Sequence, residues 1–441
     1  MATNNPFSGL PSNHESLGFV AHNGTTPILD MFNRMPVVSP TTIFQTHAIH
    51  TPQYEIMDYL STGTGTVVHD PTNAIITLAA NNSGGRAVRQ SREYMYYQPG
   101  KLQSSFFTFN PRYSGTFDNS VAIRVGLFDD YRDKSAESNK TSMGHFFELS
   151  GNSWFIVERS NSPDNVTNVT RIPQKNWNVD TLNGDRSTNS SGFLLSNEKC
   201  LIAFINRQWL GVGGVRMGFV INGRAIVCHF FSHVKIQTPY TQNSRLPSRW
   251  EIEKVAGGSS QSATLASICA SSQVLGEYTP LGFITSLPLS VTLTPQKVDD
   301  ILRPIFILRL RQAFCRATIK IKNISIYVSA AGGYTIFKNA TIGGGTLPSY
   351  TTHPDSRSMT EYISFSGGTT SAFTVSGGIA IDSGFFDSKA SISNTFDPLE
   401  LTSTHSFCSN IAGTADTFII AACSFTGTAD IRVAVQWMEI T

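Results

Sequence analysis

Four acidic side chains lie next to apolar runs, where a β-protein that cleaves glycans or binds calcium would place its carboxylates. They are Asp129, Asp130, Glu148 and Asp180. Glycosidases need two carboxyl groups at a fixed separation, and calcium needs several oxygen ligands. The sequence does not fix the separation of any two of the four. Residues 180–185 resemble part of a calcium loop but lack the alternating ligands and terminal Glu of an EF-hand, so they are predicted to form a turn.

A thiol and two imidazoles are close in sequence, at Cys228, His229 and His233. They could form a nucleophilic pair or bind zinc, but in a strand positions 229 and 233 lie ~13 Å apart, too far for one zinc ion. Residues 211–214 are Gly-rich but lack the strand-to-helix context and the following Lys of a phosphate-binding loop. We therefore predict that the histidines are hydrogen-bonded within the fold or lie on the surface, and that residues 211–214 form a turn. No catalytic residue, cofactor site or metal site is predicted. The chain is predicted not to be an enzyme.

Strand patterns run through the whole chain, whereas helix patterns are almost absent. Apolar residues recur at strand spacing along 121–128, 146–157, 200–205, 215–221, 225–231, 305–310, 319–328, 418–422 and 431–437. A period of two residues is typical of a strand with one buried face. Many strands separated by short turns favour antiparallel sandwiches over a parallel α/β sheet. The predicted fold is all-β: an antiparallel β-sandwich of jelly-roll or lectin-like type, followed by a second β domain.

Local turn and cap signals add two more specific predictions. Asn222 and Gly223, between two apolar runs, predict a tight hairpin, because both residue types adopt positive φ at low cost. A short helix is predicted at 294–302, where Thr294 can cap and Pro295 suits the first turn.

The chain has 441 residues, more than one hydrophobic core usually serves, so at least two domains are expected. Residues 1–51 are Pro-rich and lack periodicity, which predicts an extended arm that packs on a neighbour. The Gly/Ser-rich stretch 257–262 is the best internal linker. The predicted organisation is an arm at 1–51, a β-sandwich at 52–256 and a second β domain at 263–441.

Composition limits the classes of partner. Charged residues make up only 15% of the chain, against about 25% in ordinary soluble domains. A subunit covered by neighbours needs less surface charge, although a Ser/Thr/Asn-rich β-protein acting alone is the alternative. The net charge of +2 argues against a nucleic-acid partner.

The sequence also limits the expected location of the chain. No apolar run reaches the ~18 residues of a membrane span, and residues 1–10 lack the features of a secretion signal. The six scattered cysteines include no C-x-x-C pair and predict buried free thiols in a reducing compartment. The chain is therefore predicted to be neither membrane-spanning nor conventionally secreted.

One ordered series of motifs resembles a known family. It comprises REYMYYQPGK at 92–101, RVGLFDD at 124–130, GHFFE at 144–148, WNVD at 177–180, QWLGVGGVRMG at 208–218, LPSRWEI at 246–252 and WMEI at 437–440. Together these motifs resemble a family of virion structural proteins of large double-stranded DNA viruses and tailed phages. The resemblance is good over about 90–255 and loose in the C-terminal third. Residues 131–143 form an insertion longer than the turn expected between the second and third motifs.

The resemblance implies a subunit of the virion shell or vertex, of minor capsid or penton type, made in the host cytoplasm. The expected partners are copies of the chain itself and other virion proteins, and no catalytic residue is carried over. The alternative is a phage tail or fibre protein that binds host-surface glycans. A glycan-degrading enzyme that uses two of the four acids is a third hypothesis.

Overall fold

The described residues form two β-sandwiches that follow one another along the chain. The computed structural model describes residues 38–134, 142–161, 167–187, 191–233, 236–255, 261–279, 281–288, 295–365, 367–370, 372–387, 391–395 and 406–440. Within them, helix is limited to the short 3-10 turns Tyr131–Asp133, Gln174–Asn176 and Gln312–Phe314. The predicted all-β fold built from antiparallel sandwiches is confirmed.

The first sandwich contains fifteen strands in the described residues. They are β1 (Pro40–Thr46), β2 (Met57–Thr62), β3 (Gly65–Asp70), β4 (Ile75–Ala80), β5 (Arg86–Ser91), β6 (Gln103–Gly115), β7 (Val121–Phe128), β8 (Gly144–Ser150), β9 (Ser153–Asn161), β10 (Thr167–Pro173), β11 (Leu201–Arg207), β12 (Val215–Ile221), β13 (Arg224–Phe231), β14 (Ser248–Lys254) and β15 (Ala263–Leu275). Sheet I has the order β13-β12-β11-β6-β15-β4-β3, with β1 also paired to β15. Sheet II has the order β10-β9-β8-β7-β14-β5-β2.

The second sandwich contains the fifteen remaining described strands. They are β16 (Phe283–Ser286), β17 (Gln296–Val298), β18 (Arg303–Leu310), β19 (Thr318–Val328), β20 (Gly332–Lys338), β21 (Thr341–Gly343), β22 (Thr351–Thr352), β23 (Thr360–Ser364), β24 (Gly367–Thr370), β25 (Thr374–Ser376), β26 (Ile379–Phe386), β27 (Ser391–Thr395), β28 (Ser406–Phe407), β29 (Thr417–Ser424) and β30 (Ala429–Ile440). Sheet III has the order β24-β17-β30-β19-β27, with β16 on β30 and β28 on β19. Sheet IV has the order β22-β23-β18-β29-β20-β26, and β21 pairs with β25 in a small separate hairpin.

Each sandwich encloses its own apolar core, as strand alternation requires. In the first, Phe107 of sheet I meets Trp250 of sheet II with ring centroids 5.7 Å apart. In the second, Trp437 of sheet III and Ile420 of sheet IV are fully buried in one cluster. The predicted hairpin at Asn222 is confirmed, because β12 and β13 pair around it with φ of 51° at Asn222 and 74° at Gly223.

Three expectations from the sequence change in the structure. Strand β15, which begins at Ala263, pairs with β1, β4 and β6 of sheet I and not with the C-terminal strands, so the Gly/Ser-rich stretch before it does not separate it from the first sandwich. The predicted helix at 294–302 is wrong where the residues are described, because β17 pairs there with β30. Of the predicted arm at 1–51, residues 1–37 lie outside the described residues, whereas Pro40–Thr46 forms β1 in sheet I.

The two sandwiches are joined by polar contacts from ordered loops and strand ends. Arg245 of the first donates to the carbonyl of Ile440 at 2.6 Å, and Arg92 donates to Asp416. In the other direction, Arg316 of the second donates to Asp129 at 2.8 Å. The contact between Arg316 and Asp129 holds the loop after β7 against the second sandwich.

Candidate functional site

The acidic residues singled out in the sequence fall mainly on the outer face of sheet II. Strand alternation sends Ile123 and Val125 into the core and Arg124 to the opposite face. The register then places Arg124 directly between Glu251 of β14 and Glu148 of β8. A row of alternating charges therefore crosses three neighbouring strands.

Every carboxylate in this row is bound to arginine. Arg124 donates from Nε to Glu148 at 2.7 Å and from Nη1 to Glu251 at 2.6 Å. The other oxygen of Glu148 accepts from Arg171 at 2.7 Å. Glu251 also binds Arg86 at 3.1 Å and Arg249 at 2.5 Å. Burial alone would raise the pKa of Glu251, but Arg249, Arg86 and Arg124 hold that pKa well below its usual range.

The segment after β7 covers part of this face and adds further acids to the network. Asp133 binds Arg86 at 2.6 Å and Arg249 at 2.7 Å. Asp129 binds Lys134 at 3.0 Å and Arg316 at 2.8 Å, and although burial opposes it these cations hold the pKa of Asp129 well below its usual range. This segment opens the predicted insertion at 131–143, of which residues 135–141 lie outside the described residues.

The geometry does not suit general acid catalysis by these groups. A glycosidase acid must hold a proton near neutral pH, which requires a raised pKa. Arginine contacts act in the opposite direction on Glu251 and Asp129. Asp180 lies elsewhere, where its two oxygens accept from the backbone N–H groups of Leu182 and Ser191, each at 2.9 Å. The structure therefore does not bring the four predicted acids together as one site.

The side chains of the Asp180 loop close turns within the loop. Asn183 Oδ1 accepts from the backbone N–H of Asp185 at 3.0 Å, and Asp185 Oδ1 accepts from Ser187 at 2.9 Å. Their oxygens close turns in the loop. Within the described residues, no group of three or more His, Cys, Asp or Glu side chains is arranged to hold a metal ion.

The thiol and imidazoles near residue 228 do not form a nucleophilic pair. Cys228 is fully buried in the core, and burial raises the pKa of its thiol well above the usual range. His229 follows it at a β-bulge, where it pairs with the core residue Met217, and it accepts from the backbone N–H of Asn178 at 3.3 Å. His233 lies beyond the strand and binds Glu158 at 2.8 Å. Both histidines make hydrogen bonds within the fold.

Sequence reasoning missed a buried imidazole cluster at one end of the first sandwich. Register places His145 of β8 opposite Glu158 of β9, and both point between the sheets. Glu158 Oε2 lies 2.9 Å from His145 Nε2 and 2.8 Å from His233 Nε2. Burial raises the pKa of Glu158, but the hydrogen bonds from the two histidines prevail and lower it to about 2. The sequence signal that could have revealed this cluster is Glu158, an acidic residue at an inward-facing position of a strand, two residues after the apolar Ile156.

A cleft of about 490 Å³ lies between the sandwiches. Ile43 and Phe44 of β1 line it from the first sandwich, and Lys338 and Cys408 line it from the second. The Lys338 ammonium binds Asp416 at 3.2 Å, and the carbonyl of Ser406 at 2.8 Å, so its charge is used within the fold.

Among the described residues, the most exposed large apolar side chain lies on the edge of sheet IV. Strand β26 ends that sheet in the described residues, so one side of its backbone has no strand partner there. On it, Phe385 is 82% exposed, and its ring centroid lies 6.0 Å from that of Phe425, which is 58% exposed. Gly333 lies beneath both rings. We call β26 together with Phe425 and Gly333 the β26 edge.

The β26 edge carries a register shift at Ile381 but none of the residue types that commonly block strand addition. Its strand, IAIDSGFF, contains no Lys, Arg or Pro, the residues that commonly block strand addition. Its one charged side chain, Asp382, accepts from Tyr334 Oη at 3.2 Å. An exposed apolar strand of eight residues is suited to pairing with a strand of another chain.

Comparisons with known proteins show likeness of shape alone. No family model matches the chain, and no curated protein matches it. Among solved structures, an endo-β-1,4-glucuronan lyase from the fungus Trichoderma reesei matches with 10% identity and a TM-score of 0.36, covering 53% of this chain and 95% of its own. The carbohydrate recognition domain of Emp47p matches with 10% identity and a TM-score of 0.32, covering 54% and 97%.

Peanut lectin also matches, with 10% identity and a TM-score of 0.30, covering 55% of this chain and all of its own. These neighbours include both an enzyme and lectins. At such identities and TM-scores they do not indicate what this chain binds or does. In the described residues, no helix is long and apolar enough to cross a membrane.

Proposed function

We propose that this chain is a non-enzymatic structural subunit of a virion shell or vertex, of minor capsid or penton type. It acts through contacts with copies of itself and with other virion proteins, after synthesis in the host cytoplasm. The single observation that carries the proposal is the β26 edge, because nothing among the described residues of one chain covers Phe385 or pairs with the outer side of β26. The ordered motifs between 92 and 252 support the virion assignment by resemblance.

Two further features support a structural role. The carboxylates on sheet II are bound by arginines and stabilise the fold, which leaves them without a role as general acids. The charged fraction of 15% suits a subunit whose surface is covered by neighbours.

The test is the mass of the purified chain across a concentration series, compared with that of Phe385→Ser. The wild type should exceed its monomer mass of 48.1 kDa as concentration rises. Phe385→Ser should weaken this self-association by roughly tenfold or more, the effect of losing an aromatic anchor. Leu194→Ser is the matched control, because Leu194 is 71% exposed on the other sandwich, and it should leave the mass unchanged. A wild-type chain that stays monomeric at every concentration contradicts the proposal.

Glycan binding, as in a tail or fibre protein, is the second candidate. The specific observation in its favour is the exposed Phe385 and Phe425 pair, whose ring faces could stack on sugars. If Phe385→Ser abolished binding to immobilised glycans and left the mass unchanged, this function would replace the first. An enzyme assignment would replace both if glycan cleavage were saturable and disappeared in Glu148→Ala or Asp180→Ala.

A further inference from the structure

A buried cation without a carboxylate partner lies at the imidazole end of the first sandwich. Arg207, at the end of β11, is 1% exposed. It donates from Nε to Gln103 Oε1 at 2.8 Å and from Nη2 to the carbonyl of Ser244. Among the described residues no carboxylate lies within ion-pair distance of it. Within the described residues, three of its five N–H groups make no hydrogen bond to oxygen, and its guanidinium carbon lies 5.9 Å from the ring centroid of Tyr97.

Another buried arginine of the same sandwich makes more hydrogen bonds. Arg245 is 2% exposed and also lacks a carboxylate, but it makes four contacts to oxygen. Its acceptors are Tyr94, Ile440 and Thr318. A buried guanidinium is costly unless its hydrogen bonds and charge are balanced. The Arg207 guanidinium therefore makes fewer hydrogen bonds than that of Arg245.

The groups around Arg207 do not supply the missing negative charge. His233 places Nδ1 2.6 Å from the carbonyl of Gly213 and Nε2 2.8 Å from Glu158, so both of its nitrogens face acceptors. Only the imidazolium form can donate to both. Its positive charge cancels that of Glu158, which leaves the Arg207 guanidinium as the net charge of the cluster.

Within the described part of the chain, neutral donors of the same cluster are also buried without a partner. Gln103 is fully buried, and because its Oε1 accepts from Arg207, its Nε2 must be the donor end and has no acceptor. Tyr240 is 6% exposed, stacks on His233 at 3.7 Å between centroids, and leaves its hydroxyl unpaired. His145 Nδ1 is also unpaired, but it is not a donor. The neutral His145 ring donates to Glu158 from Nε2, so Nδ1 carries no hydrogen and can only accept.

We propose that a small monovalent anion of the halide class, chloride in ordinary solution, binds between the sheets beside Arg207, Gln103 Nε2 and the Tyr240 hydroxyl. Such an ion supplies the missing charge and accepts from all three groups. It ties β11 and β6 of sheet I to the loop that carries Tyr240, and so stabilises this end of the sandwich. The assignment is independent of the proposed assembly function.

Thermal unfolding in chloride and in gluconate, at equal ionic strength, tests the proposal on the full chain. Because an ion that binds only the folded state stabilises it by mass action, the melting temperature should rise with chloride by on the order of 3 °C per tenfold increase above the dissociation constant. Equal melting temperatures in chloride and gluconate would overturn it.

Two conservative variants separate a binding site from a general salt effect. Gln103→Glu places a carboxylate beside Arg207 and should keep the chain folded while removing its response to chloride. Tyr240→Phe removes one donor and should weaken the apparent chloride affinity by roughly tenfold. Tyr94→Phe is the matched control, because Tyr94 is a buried tyrosine whose hydroxyl faces Asp129. A response that persists in Gln103→Glu, or is lost in Tyr94→Phe, is incompatible with this site.

A direct readout is the anomalous signal of crystals grown in bromide. A peak within hydrogen-bond reach of Arg207 and Tyr240, absent in Gln103→Glu, is the expected result. Ordinary water density without an anomalous peak at that position would show that the unpaired groups are hydrated and would refute the anion assignment.

Discussion

At the scale of single residues, Glu251 shows how charge is kept stable inside this fold. It is fully buried and contacts Arg86, Arg124 and Arg249. Removing one partner of a buried ion pair leaves an uncompensated charge, which typically costs more than the pair contributed. The three arginines therefore depend on this one carboxylate more than on any acid at the rim of the network.

Glu251→Ala should lower the free energy of unfolding by about 3 to 5 kcal/mol, because it leaves three buried guanidinium groups short of a partner. Glu253→Ala is the matched control on the same strand. Glu253 binds Arg132, whose side chain is 42% exposed, and Arg124, which keeps Glu148 and Glu251 as partners, so its loss should cost less, about 1 to 2 kcal/mol. Urea denaturation of both variants measures the difference. Equal losses would show that burial of the network contributes little.

The imidazole cluster predicts a pH dependence of stability that Glu158→Gln removes. The folded pKa of Glu158 is about 2, below its ordinary value of 4.5, so its contribution is present above pH 4.5 and lost as pH falls towards 2. Burial lowers the pKa of His233, but its contacts with Glu158 prevail and raise it above 6.5. Its contribution is present below pH 6.5 and lost as pH rises through that raised value.

The stability difference between wild type and Glu158→Gln should therefore be largest between about pH 4.5 and 6.5, and shrink on either side. Burial lowers the pKa of His145, so His145 contributes stability above pH 6.5 and less stability as pH falls. His145 is buried in both the wild type and Glu158→Gln. Urea unfolding at pH 3, 5.5 and 9 measures the differences. A difference that does not vary with pH would exclude the ionised Glu158 and His233 pair.

The sequence could predict the face of Arg124 but not its partners. Alternation along β7 places Arg124 opposite Ile123 and Val125, which any strand pattern indicates. Pairing with Glu251 depends on β14 lying beside β7, two strands far apart in the chain. The same long-range order decides that Asp180 lies apart from Glu148. Local spacing therefore identified the acids and could not identify the network.

At the scale of elements, predictions from local sequence were right for a turn that its own residues specify. They were wrong for a segment whose structure depends on pairing with a distant strand. Asn222 and Gly223 formed the predicted hairpin because a two-residue turn is specified by its own residues. Residues 294–302 carry helix caps, yet β17 pairs with Ala429 to Ile431 of β30. The carboxylate of Asp299, expected within the helix, instead binds Arg303 at 2.6 Å. Backbone pairing with a distant strand thus overrode the local preference.

Gly223→Val tests the turn. Gly223 has φ of 74°, and a Cβ there would meet no atom within 4 Å, so the cost is conformational and not steric. We expect a loss of about 1 to 2 kcal/mol in the free energy of unfolding, the cost of a left-handed backbone for a side chain with a Cβ. Arg224→Ala, at the adjacent exposed position, should change stability far less. Urea denaturation of both variants decides, and equal effects would count against the turn geometry.

At the scale of the whole molecule, the predicted division of the chain needs a physical revision. The Gly/Ser-rich stretch at 257–262 reads as a linker, but β14 before it and β15 after it lie in the two sheets of the same sandwich. The stretch therefore connects two layers of one core. Contacts such as Arg92 with Asp416 and Arg245 with Ile440 then join that core to the second sandwich. Composition alone does not distinguish a crossing between layers from a domain boundary.

The same revision sharpens the assembly prediction for the N-terminal segment. Its apolar residues need burial that an extended arm cannot give itself. They are Leu17, Phe19, Val20, Ile28, Leu29, Met31 and Phe32. Strand β1, however, belongs to sheet I, with Ile43 and Phe44 in the core and Thr46 accepting from Arg89. A deletion that tests the arm must therefore end before Pro40.

Deleting residues 1–37 should leave the melting temperature within about 2 °C of wild type and weaken self-association, because the folded core stays whole while apolar contacts with neighbours are lost. Deleting residues 1–46 is the matched comparison. It removes strand β1, which pairs with β15, and it removes Thr46 Oγ1, which accepts a hydrogen bond from Arg89. This deletion should therefore lower the melting temperature by about 5 °C or more. Thermal unfolding and a mass measurement on both variants separate the two effects. If the chain without residues 1–37 associates as tightly as the full chain, the prediction of an assembly arm is wrong. If that chain fails to fold, these residues belong to the folded core instead.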